Sequence, residues 1–339
     1  MSKTSPISDR SLNQASFIAF GAILVALFVF GLGTPFITIL FGYLILHYIG
    51  KLLPKRWAIV AFSILVLILF YLFYLFIQEA VRALPQTANK AIPAISSLAK
   101  TYGIETPFEN QEQFKSFIMD ALESQLHFLA RFAQVFTKEF VYVIIALVAT
   151  TGIFTTGRLD LGRESYTLRH NLYTGFTEKL ESRFGNFFKS FHTVMGAQVL
   201  ISLVNTFFTG VFIYSLSLFG SPMPYSFVII VITFLCGLLP IIGNLMSNTV
   251  IFCIGLTQSV QLGFIALSYL IILHKFEYFL NSKIIGGRIK NPMWLTLLSL
   301  LIGERLAGIP GMILAPVILN YCKLEGSKIE VEPQKGQAS

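Results

Sequence analysis

The stretch that decides the fold is residues 225–256, YSFVIIVITFLCGLLPIIGNLMSNTVIFCIGL. It carries no charged residue, but the segment GLLPIIGN at residues 237–244 interrupts it near the middle. Glycine and proline so close together break a helix. Each half would form a helix of about 12–16 residues, or roughly 18–24 Å, which does not comfortably cross the ~30 Å hydrocarbon core of a bilayer. The stretch therefore predicts a helical hairpin that enters a membrane and turns back.

A second stretch, residues 292–321, has the same design and is interrupted by GERLAGIPG at residues 303–311. A further membrane span at about 261–279 separates the two. Hairpins that enter a membrane from opposite faces form an inverted repeat with discontinuous helices, and such breaks usually mark a transport site. Glycine and proline can also simply kink a membrane helix. The residues predicted to line the solute path are Gly237, Pro240, Gly243, Asn244, Gly303, Glu304, Arg305, Gly308, Pro310 and Gly311.

The composition of the whole chain agrees with a membrane protein. Of its 339 residues, 55% are apolar and 12% are charged, against about 25% charged residues in soluble domains. The net charge of +8 is spread over short segments between apolar runs, which favours membrane lipids as partners and not nucleic acid. The predicted fold class is an all-α integral membrane protein. It has about eight membrane segments, two broken or re-entrant helical hairpins in inverted orientation, and an extramembrane amphipathic helical region.

The hydropathy pattern divides the chain into six parts. A glycine and proline cluster at residues 31–35 splits the first apolar run into two short helices, near 15–32 and 36–49, and a third span follows at 57–77. The predicted parts are the N-terminal membrane helices 1–77, an extracytoplasmic amphipathic helical region 78–137, a membrane helix 138–155, a cytoplasmic interfacial amphipathic helix 156–190, a transport core 191–322 with hairpins 225–256 and 292–321, and a polar cytoplasmic tail 323–339.

The segment 156–190 carries an apolar stripe beside basic residues. Such a helix lies in the membrane interface or packs on another protein element. The stripe consists of Leu172, Phe176, Leu180, Phe184, Phe187 and Phe191, and the basic residues expected on the opposite face are Arg169, Lys179, Arg183 and Lys189.

Charge placement predicts the orientation. With the N-terminus in the cytoplasm, about 18 of the 25 Lys and Arg residues fall on the cytoplasmic side, as the positive-inside tendency requires. The 225–256 hairpin then begins and ends outside, and the 292–321 hairpin begins and ends inside. The predicted location is the bacterial cytoplasmic (inner) membrane.

Two groups of charged residues are candidates for gating and for the solute path. Glu277 lies about 16 residues, or ~24 Å, beyond Gln261 on the same helix, close to the cytoplasmic interface. There it would be a solvated carboxylate, or it would pair with Lys283 or Arg288 and latch the cytoplasmic hairpin. Glu304 and Arg305 are adjacent at a hairpin tip. Because neighbouring helical side chains point in different directions, each is expected to find a separate partner or to face a water-filled cavity. The alternative is a structural salt bridge to a neighbouring element or subunit.

Signatures of enzyme and metal chemistry are missing from the sequence. It contains no HExxH, GxSxG or P-loop motif, so neither an enzyme nor an ATP-driven pump is expected. His274 and Glu277 could supply half a metal site, but no second histidine-rich segment completes it, and a polar pair at the interface is the better interpretation. The cysteines Cys236, Cys253 and Cys322 are scattered through apolar stretches and predict no disulfide. No cofactor and no metal are expected.

Five motifs in the C-terminal third carry a resemblance to a known protein family. They are GLLPIIG at 237–243, EYFLNSKIIG at 277–286, NP at 291–292, LSLLIG at 298–303 and GIPGMILAP at 308–316. At these residues the sequence resembles the autoinducer-2 exporter (AI-2E, PerM-like) family of bacterial membrane proteins. The resemblance covers the C-terminal third specifically, and the rest matches only in hydropathy layout. Asn244 departs from the family, which commonly has proline after Gly243, and residues 152–158 (GIFTTGR) lack an acidic residue often seen after the fourth span.

The resemblance implies an eight-segment transporter-like fold and a homo-oligomer, with a pentamer as the candidate assembly. It also implies efflux of small polar solutes, with the quorum-sensing molecule autoinducer-2 as the eponymous substrate. Other members of the family resemble sodium(lithium)/proton antiporters. An antiporter would need an ionisable residue in the middle of the membrane, for which Glu79, Glu277 and Glu304 are candidates. The remaining alternative is a membrane scaffold whose 78–137 region recruits partners.

Overall fold

The computed structural model of the protein describes residues 8–101, 138–159, 165–168, 171–239, 242–284 and 292–329. For residues 80–101, 242, 278–284 and 293 it describes the backbone alone. The regular elements within these ranges are helices. They are α1 Asp9–Val29, α2 Gly33–Leu52, α3 Lys55–Thr101, α4 Lys138–Thr156, α5 Leu172–Leu218, α6 Ser226–Gly237, α7 Ile242–Gln258, α8 Val260–Ile284 and α9 Met293–Gly326.

Seven of the described helices are long and apolar enough to cross a bilayer, namely α1 to α5, α8 and α9. Helix α6 is apolar but has only 12 residues. The hydropathy pattern predicts about eight membrane segments, and the α6–α7 pair would be the eighth if it enters the membrane, which stays a prediction. The protein is an all-α, multi-pass membrane protein.

The chain divides into two compact units. Unit 1 comprises Met1–Ile59, Val143–Gly196 and Arg288–Ser339. Unit 2 comprises Val60–Tyr142 and Ala197–Gly287. The boundary between residues 196 and 197 lies inside α5, so one helix contributes a half to each unit.

Aromatic side chains fill the core of unit 1. The ring of Phe20 on α1 lies 5.1 Å from Phe184, 5.7 Å from Phe187 and 5.1 Å from Tyr321, between centroids. Three helices, α1, α5 and α9, therefore meet at one ring cluster, and each such pair contributes ~0.5–1.5 kcal/mol beyond its area. Phe187 and Phe191 are fully buried. Of the two alternatives for the aromatic stripe, packing on other protein elements is the one observed.

The boundary predicted between an interfacial helix ending at 190 and a core starting at 191 falls inside α5, which runs unbroken for 47 residues. At 1.5 Å per residue it measures about 70 Å, more than twice the hydrocarbon thickness of a bilayer. Gly196 lies near the predicted boundary, but one glycine weakens a helix by only ~1 kcal/mol.

The prediction that Arg183 lies on the exposed face of α5 is wrong. Arg183 follows Leu180 by three residues and precedes Phe187 by four, which places it on the aromatic stripe itself. The residue is 8% exposed, and its guanidinium carbon lies 3.7 Å from the ring centroid of Phe17. It also donates hydrogen bonds to Glu325 Oε2 and Asn13 Oδ1. A buried polar cluster thus joins α1, α5 and α9.

The predicted break between the first two helices is present. Helix α1 ends at Val29, Gly31 has a φ of 66°, and α2 begins at Gly33. A Cβ added at Gly33 would lie 2.7 Å from the Cβ of Pro310. This end of α2 therefore packs closely against α9 because residue 33 has no side chain.

Helix α3 continues well beyond its apolar part. The window that could span a membrane is Lys55–Glu79, whereas the helix ends at Thr101. The start of the region predicted as 78–137 is therefore a direct extension of the third span. Residues 102–137, including the predicted amphipathic helix near 114–132, lie outside the described residues.

Unit 2 has its own apolar core, built by α5, α6, α7 and α8. Helix α6 packs on α7, and α7 packs on α8. At Gly255 an added Cβ would lie 3.4 Å from the Cα of Gly263, so α7 and α8 cross closely. The apolar cluster consists of Phe212, Ile213, Leu216, Met223, Ile229, Ile251, Ile254, Leu262, Ala266 and Leu270.

Candidate functional site

The turn between α6 and α7 brings two backbones into contact. Helix α6 ends at Gly237 and α7 starts at Ile242. A Cβ added at Gly243 would overlap the carbonyl oxygen of Cys236. In a straight helix residues 236 and 243 would lie about 10 Å apart, so the chain has reversed. The predicted helical hairpin in 225–256 is therefore present, and its entry into the membrane stays a prediction.

A row of polar side chains on α5 faces this hairpin. Gln198, Ser202, Asn205 and Thr209 recur at intervals of four, three and four residues, the period of one helix face. We call these four residues the α5 polar stripe. Ser202, Asn205 and Thr209 are buried. Buried polar stripes on membrane helices are uncommon and mark polar pathways or interhelical contacts.

The two ends of the α5 polar stripe are satisfied within unit 2. Gln198 Nε2 donates to the carbonyl of Gly237 at 2.7 Å, and Ser202 Oγ donates to the carbonyl of Phe234 at 2.6 Å. These side chains take the hydrogen bonds that the broken end of α6 leaves open. At the other end, the hydroxyls of Thr209 and Tyr269 lie 3.3 Å apart.

Two buried side-chain oxygen atoms near the middle of the stripe, one on α5 and one on α6, lack hydrogen-bond partners among the described residues, and we call them orphaned atoms. Asn205 Oδ1 and Thr233 Oγ1 are buried and find no hydrogen-bond partner among the described residues. Thr233 lies one turn before Gly237 on the buried face of α6, and the contacts of Ser202 with α6 place this turn opposite the stripe. An unpaired buried polar group costs about 1–3 kcal/mol. Both atoms are suited to bind O–H or N–H groups of a small polar molecule.

Glu277 occupies the same unit beside the hairpin turn. Asn244, in the first turn of α7, donates a hydrogen bond from Nδ2 to Glu277 Oε1. His274 Nδ1 lies 3.9 Å from Glu277 Oε2, so the predicted polar pair of these two residues is present. Of the two alternatives predicted for Glu277, the solvated interfacial carboxylate is wrong because the residue is only 7% exposed. The first turn of α7 covers it.

Three of the predicted residues cannot be placed with their side chains. Pro240 and Arg288 lie outside the described residues. Lys283 lies in α8, where the backbone alone is described. The predicted ion pair between Glu277 and Lys283 or Arg288 therefore stays a prediction.

The second predicted hairpin is present within α9. Ala307 (φ −149°, ψ 19°) and Gly308 (φ 61°, ψ −139°) are not helical and separate two legs. A Cβ added at Gly303 would lie 2.9 Å from the Cβ of Ala315 and overlap the carbonyl of Gly311. Because residues 303 and 311 of a straight helix would lie about 12 Å apart, the chain must reverse between them.

The residues of this second turn have separate structural tasks. The dihedral angles of Gly308 are open to glycine and strained for other residues. Pro310 lies in the first turn of the second leg, where a missing N–H leaves no hydrogen bond unmade. Gly303 and Gly311 are the points at which the two legs cross.

Glu304 and Arg305 contact each other at the surface of the described part of the chain, where the sequence predicted a separate partner for each or a water-filled cavity. Their side chains are 50% and 86% exposed, and Arg305 Nε lies 4.0 Å from Glu304 Oε2. The expectation of separate partners is wrong, because two long side chains at the surface can bend toward each other whatever their directions on the helix. In the protomer both charges lie on the outer surface of the hairpin.

The α5 polar stripe was absent from the sequence predictions. Its signal is present, since four of the polar residues of this mostly apolar span share one helix face. Asn205 and Thr233 are recognised as candidate site residues only because they are buried, and their burial depends on how α5 and α6 pack. Gly237, Gly243 and Asn244 lie at this site, whereas the predicted residues of α9 lie in unit 1.

Comparison with known protein families gives a match that covers most of the chain. The sequence model of a protein family described as "AI-2E family transporter" matches residues 15–324. The match includes both hairpins and the α5 polar stripe. No curated protein is similar enough to the chain to count as a match.

Proposed function

Because the chain belongs to the AI-2E family of transporters, we propose that it moves a small polar solute across the bacterial cytoplasmic membrane. Export is the proposed direction, and autoinducer-2 is the first solute to test. The solute site is the middle of the α5 polar stripe together with Thr233 and the α6–α7 turn. The family itself is one of membrane transporters, which leaves a scaffold without transport as the less favoured alternative.

One observation carries this assignment. Asn205 Oδ1 and Thr233 Oγ1 are orphaned inside unit 2, beside a helix break whose own carbonyls are already bonded. A protein gains stability by removing such atoms unless a function keeps them. A hydroxylated solute bound there supplies the O–H donors that both atoms lack. The apolar cluster of unit 2 borders the stripe at Phe212, whose ring stacks on Tyr269 with centroids 4.0 Å apart, and so restricts water on that side.

Removing an orphaned atom should lower transport without lowering stability. Thr233→Val keeps the shape of the side chain and deletes the hydroxyl, and Asn205→Leu deletes the amide. We expect the rate of autoinducer-2 efflux from proteoliposomes to fall at least about tenfold, which corresponds to the loss of one buried hydrogen bond of roughly 1.4 kcal/mol. The melting temperature of Thr233→Val should stay the same or rise.

Thr206→Val is the matched control on α5. The hydroxyl of Thr206 already donates to the carbonyl of Ser202 at 2.7 Å, so its removal should leave efflux unchanged. Wild-type efflux in Thr233→Val and Asn205→Leu would show that the solute does not pass the stripe. No efflux of autoinducer-2 from any sample would exclude this solute and leave the search open to other small polar molecules.

A second candidate function, a sodium(lithium)/proton antiporter, is favoured by one specific observation. Of the three ionisable candidates, Glu277 is buried, whereas Glu79 is half-buried and Glu304 is exposed. Uptake of labelled sodium into the same proteoliposomes distinguishes an antiporter from a solute exporter. We further propose that the protein forms a homo-oligomer, with a pentamer as the candidate assembly. Exposed apolar side chains on α3 and α4 provide surface for lipid and for neighbouring subunits.

Single-cysteine labelling tests the proposed topology. In a background without the three native cysteines, Ser97→Cys should react with a membrane-impermeant thiol reagent from the extracytoplasmic side. Ser165→Cys and Ser282→Cys should react only from the cytoplasmic side, because positive charge concentrates around them. Reaction of all three variants from one side would refute the topology.

A further inference from the structure

Three of the apolar windows that could span a membrane meet at one place in unit 1. The window Gly33–Leu52 of α2 ends there, Lys55–Glu79 of α3 begins there, and Lys138–Thr156 of α4 ends there. Lys55 Nζ donates to the carbonyl of Thr155 at 3.3 Å, which joins the α2–α3 turn to the end of α4. Because three apolar windows stop together, this place marks an edge of the hydrocarbon region.

Helix α5 is held against the same edge by aromatic contacts. The ring of Tyr43 on α2 lies 6.5 Å from Phe154 on α4 and 4.8 Å from Phe188 on α5, between centroids. The hydroxyl of Tyr48 and Nε2 of His192 lie 2.7 Å apart, which adds a hydrogen bond between α2 and α5. Side chains from α2, α3, α4 and α5 therefore come together at this edge.

The edge carries exposed basic side chains. Lys51 lies in the last turn of α2, Lys55 and Arg56 lie in the first turn of α3, and Lys189 lies on α5. All four are exposed, and we call them the basic edge. Cations in the first turn of a helix are unfavourable, because the helix dipole already places positive charge there. The two first-turn residues of α3 would gain from a bound anion.

The Tyr48–His192 pair positions two of these lysines. Lys51 follows Tyr48 by one turn, and its Nζ lies 5.3 Å from the centroid of the Tyr48 ring. Lys189 precedes His192 by one turn, and residues three apart lie on the same helix face. The two lysines therefore flank one hydrogen-bonded pair of rings from opposite helices.

The basic edge lacks compensating acidic residues. Residues 10–78 and 182–276 contain no Asp or Glu. Within the described part of the chain none of the four basic residues forms an ion pair with a carboxylate. The nearest acid before Lys189 on α5 is Glu181, whose Oε1 already accepts the N–H of Leu159 at 2.6 Å. The positive charge of the edge is thus available to an anion from outside the chain.

We propose that the basic edge is a binding site for the phosphate of an anionic phospholipid, held between Lys51 and Lys189 beside the Tyr48–His192 pair. The acyl chains of the lipid lie along the apolar windows that end there, which a soluble phosphate could not use. Tyr48 and Trp57 are 48% and 65% exposed, and such aromatic residues are typical of the headgroup level. The α2–α3 turn lies on the predicted cytoplasmic side, where anionic lipids attract basic side chains. The bound phosphate joins the last turn of α2 to α5.

Quenching of tryptophan fluorescence by brominated lipids tests this site. The chain has two tryptophans, so Trp294→Phe leaves Trp57, which follows Arg56 directly, as the single reporter. In vesicles of phosphatidylcholine, brominated phosphatidylglycerol should quench Trp57 more strongly than an equal share of brominated phosphatidylcholine. Lys51→Gln with Lys189→Gln should lower the relative affinity for phosphatidylglycerol about fivefold for each lysine, the effect of one basic side chain at a membrane surface. Lys51→Arg with Lys189→Arg should keep the preference.

Arg10→Gln with Lys275→Gln is the matched control, measured in the same Trp294→Phe background. It removes the same charge from two exposed residues outside the basic edge, and it should bind phosphatidylglycerol like its parent. An equal loss of preference in this control would show general attraction by net charge and would overturn the site. Equal quenching by both brominated lipids before the lysines are changed, or an unchanged preference in Lys51→Gln with Lys189→Gln, would also overturn it.

Excess inorganic phosphate distinguishes a lipid from a soluble ligand. It should leave the quenching by brominated phosphatidylglycerol unchanged, because it lacks acyl chains. If inorganic phosphate abolished the preference, the edge would bind soluble phosphate and the proposal of a lipid site would fail. No transported solute takes part in these measurements, so their outcome is independent of the proposed function.

Discussion

Gly311→Ala is expected to prevent the α9 hairpin from closing and to destabilise unit 1 by more than about 4 kcal/mol, in the range of exceptional single substitutions. A Cβ at residue 311 would overlap the carbonyl oxygen of Gly303 and lie 3.2 Å from the Cβ of Ala307. The obstructing atom belongs to the backbone, so no side-chain rotation relieves the overlap. The two legs must separate, and the contact of Gly303 with Ala315 is then lost as well.

Gly210→Ala provides the matched control. A Cβ at residue 210, eight residues before the end of α5, would meet nothing within 4 Å. Alanine is better than glycine in a helix interior by roughly 0.5–1 kcal/mol, so this variant should be as stable as the wild type or more stable. The measurements are the yield of monodisperse protein and the melting temperature in detergent. If Gly311→Ala and the wild type had equal melting temperatures, the two legs of α9 would not cross at Gly303 and Gly311.

Glu325→Leu is expected to destabilise the protein by about 3–5 kcal/mol, because it leaves the charge of Arg183 buried without its carboxylate. Glu325 is 3% exposed and Arg183 is 8% exposed. Asn186 Nδ2 also donates to Glu325, at 2.5 Å from Oε1, so the substitution removes acceptors from two residues at once. The melting temperature in detergent should fall by several degrees or more.

The double variant Arg183→Met with Glu325→Leu should be more stable than Glu325→Leu alone, because replacing both buried charges removes the uncompensated one. Lys179→Met tests an exposed pair on the same helix. The Lys179–Asp9 ion pair has a distance of 3.0 Å and side chains that are 35% and 80% exposed, and such pairs contribute at most about 1 kcal/mol. If Lys179→Met lowered the melting temperature as much as Glu325→Leu, the larger effect expected for the buried pair would be contradicted.

The two hairpins could be predicted from the sequence because their signals are local. Glycine and proline at 237–243 and 303–311 break helices wherever they occur in an apolar run. Local signals fixed the turn of the second hairpin only to within a few residues. Gly303 and Gly311 looked like helix breakers and are instead contact points between the legs, while the break itself is at residues 307–308.

Burial was the property that local patterns predicted least well. Glu277 lies on a helix as predicted, but its cover comes from Asn244, which lies 33 residues earlier in the chain. Arg183 is a different case, since its spacing from Leu180 and Phe187 already put it on the aromatic stripe. The orphaned atoms of Asn205 and Thr233 have no counterpart in the sequence, because an orphaned atom is defined by what surrounds it.

Because α3 is one continuous helix from Lys55 to Thr101, it sets the direction in which the chain leaves the helix, relative to the part that could span the membrane. Beyond Glu79 the helix continues through residues 80–101, about 33 Å at 1.5 Å per residue. Deleting one residue there would turn everything beyond it by about 100°, whereas deleting seven would return it to within about 20° of its original direction while drawing it about 10 Å closer to the membrane. A series of such deletions would tell whether the distal region must face a given direction or only reach a given height.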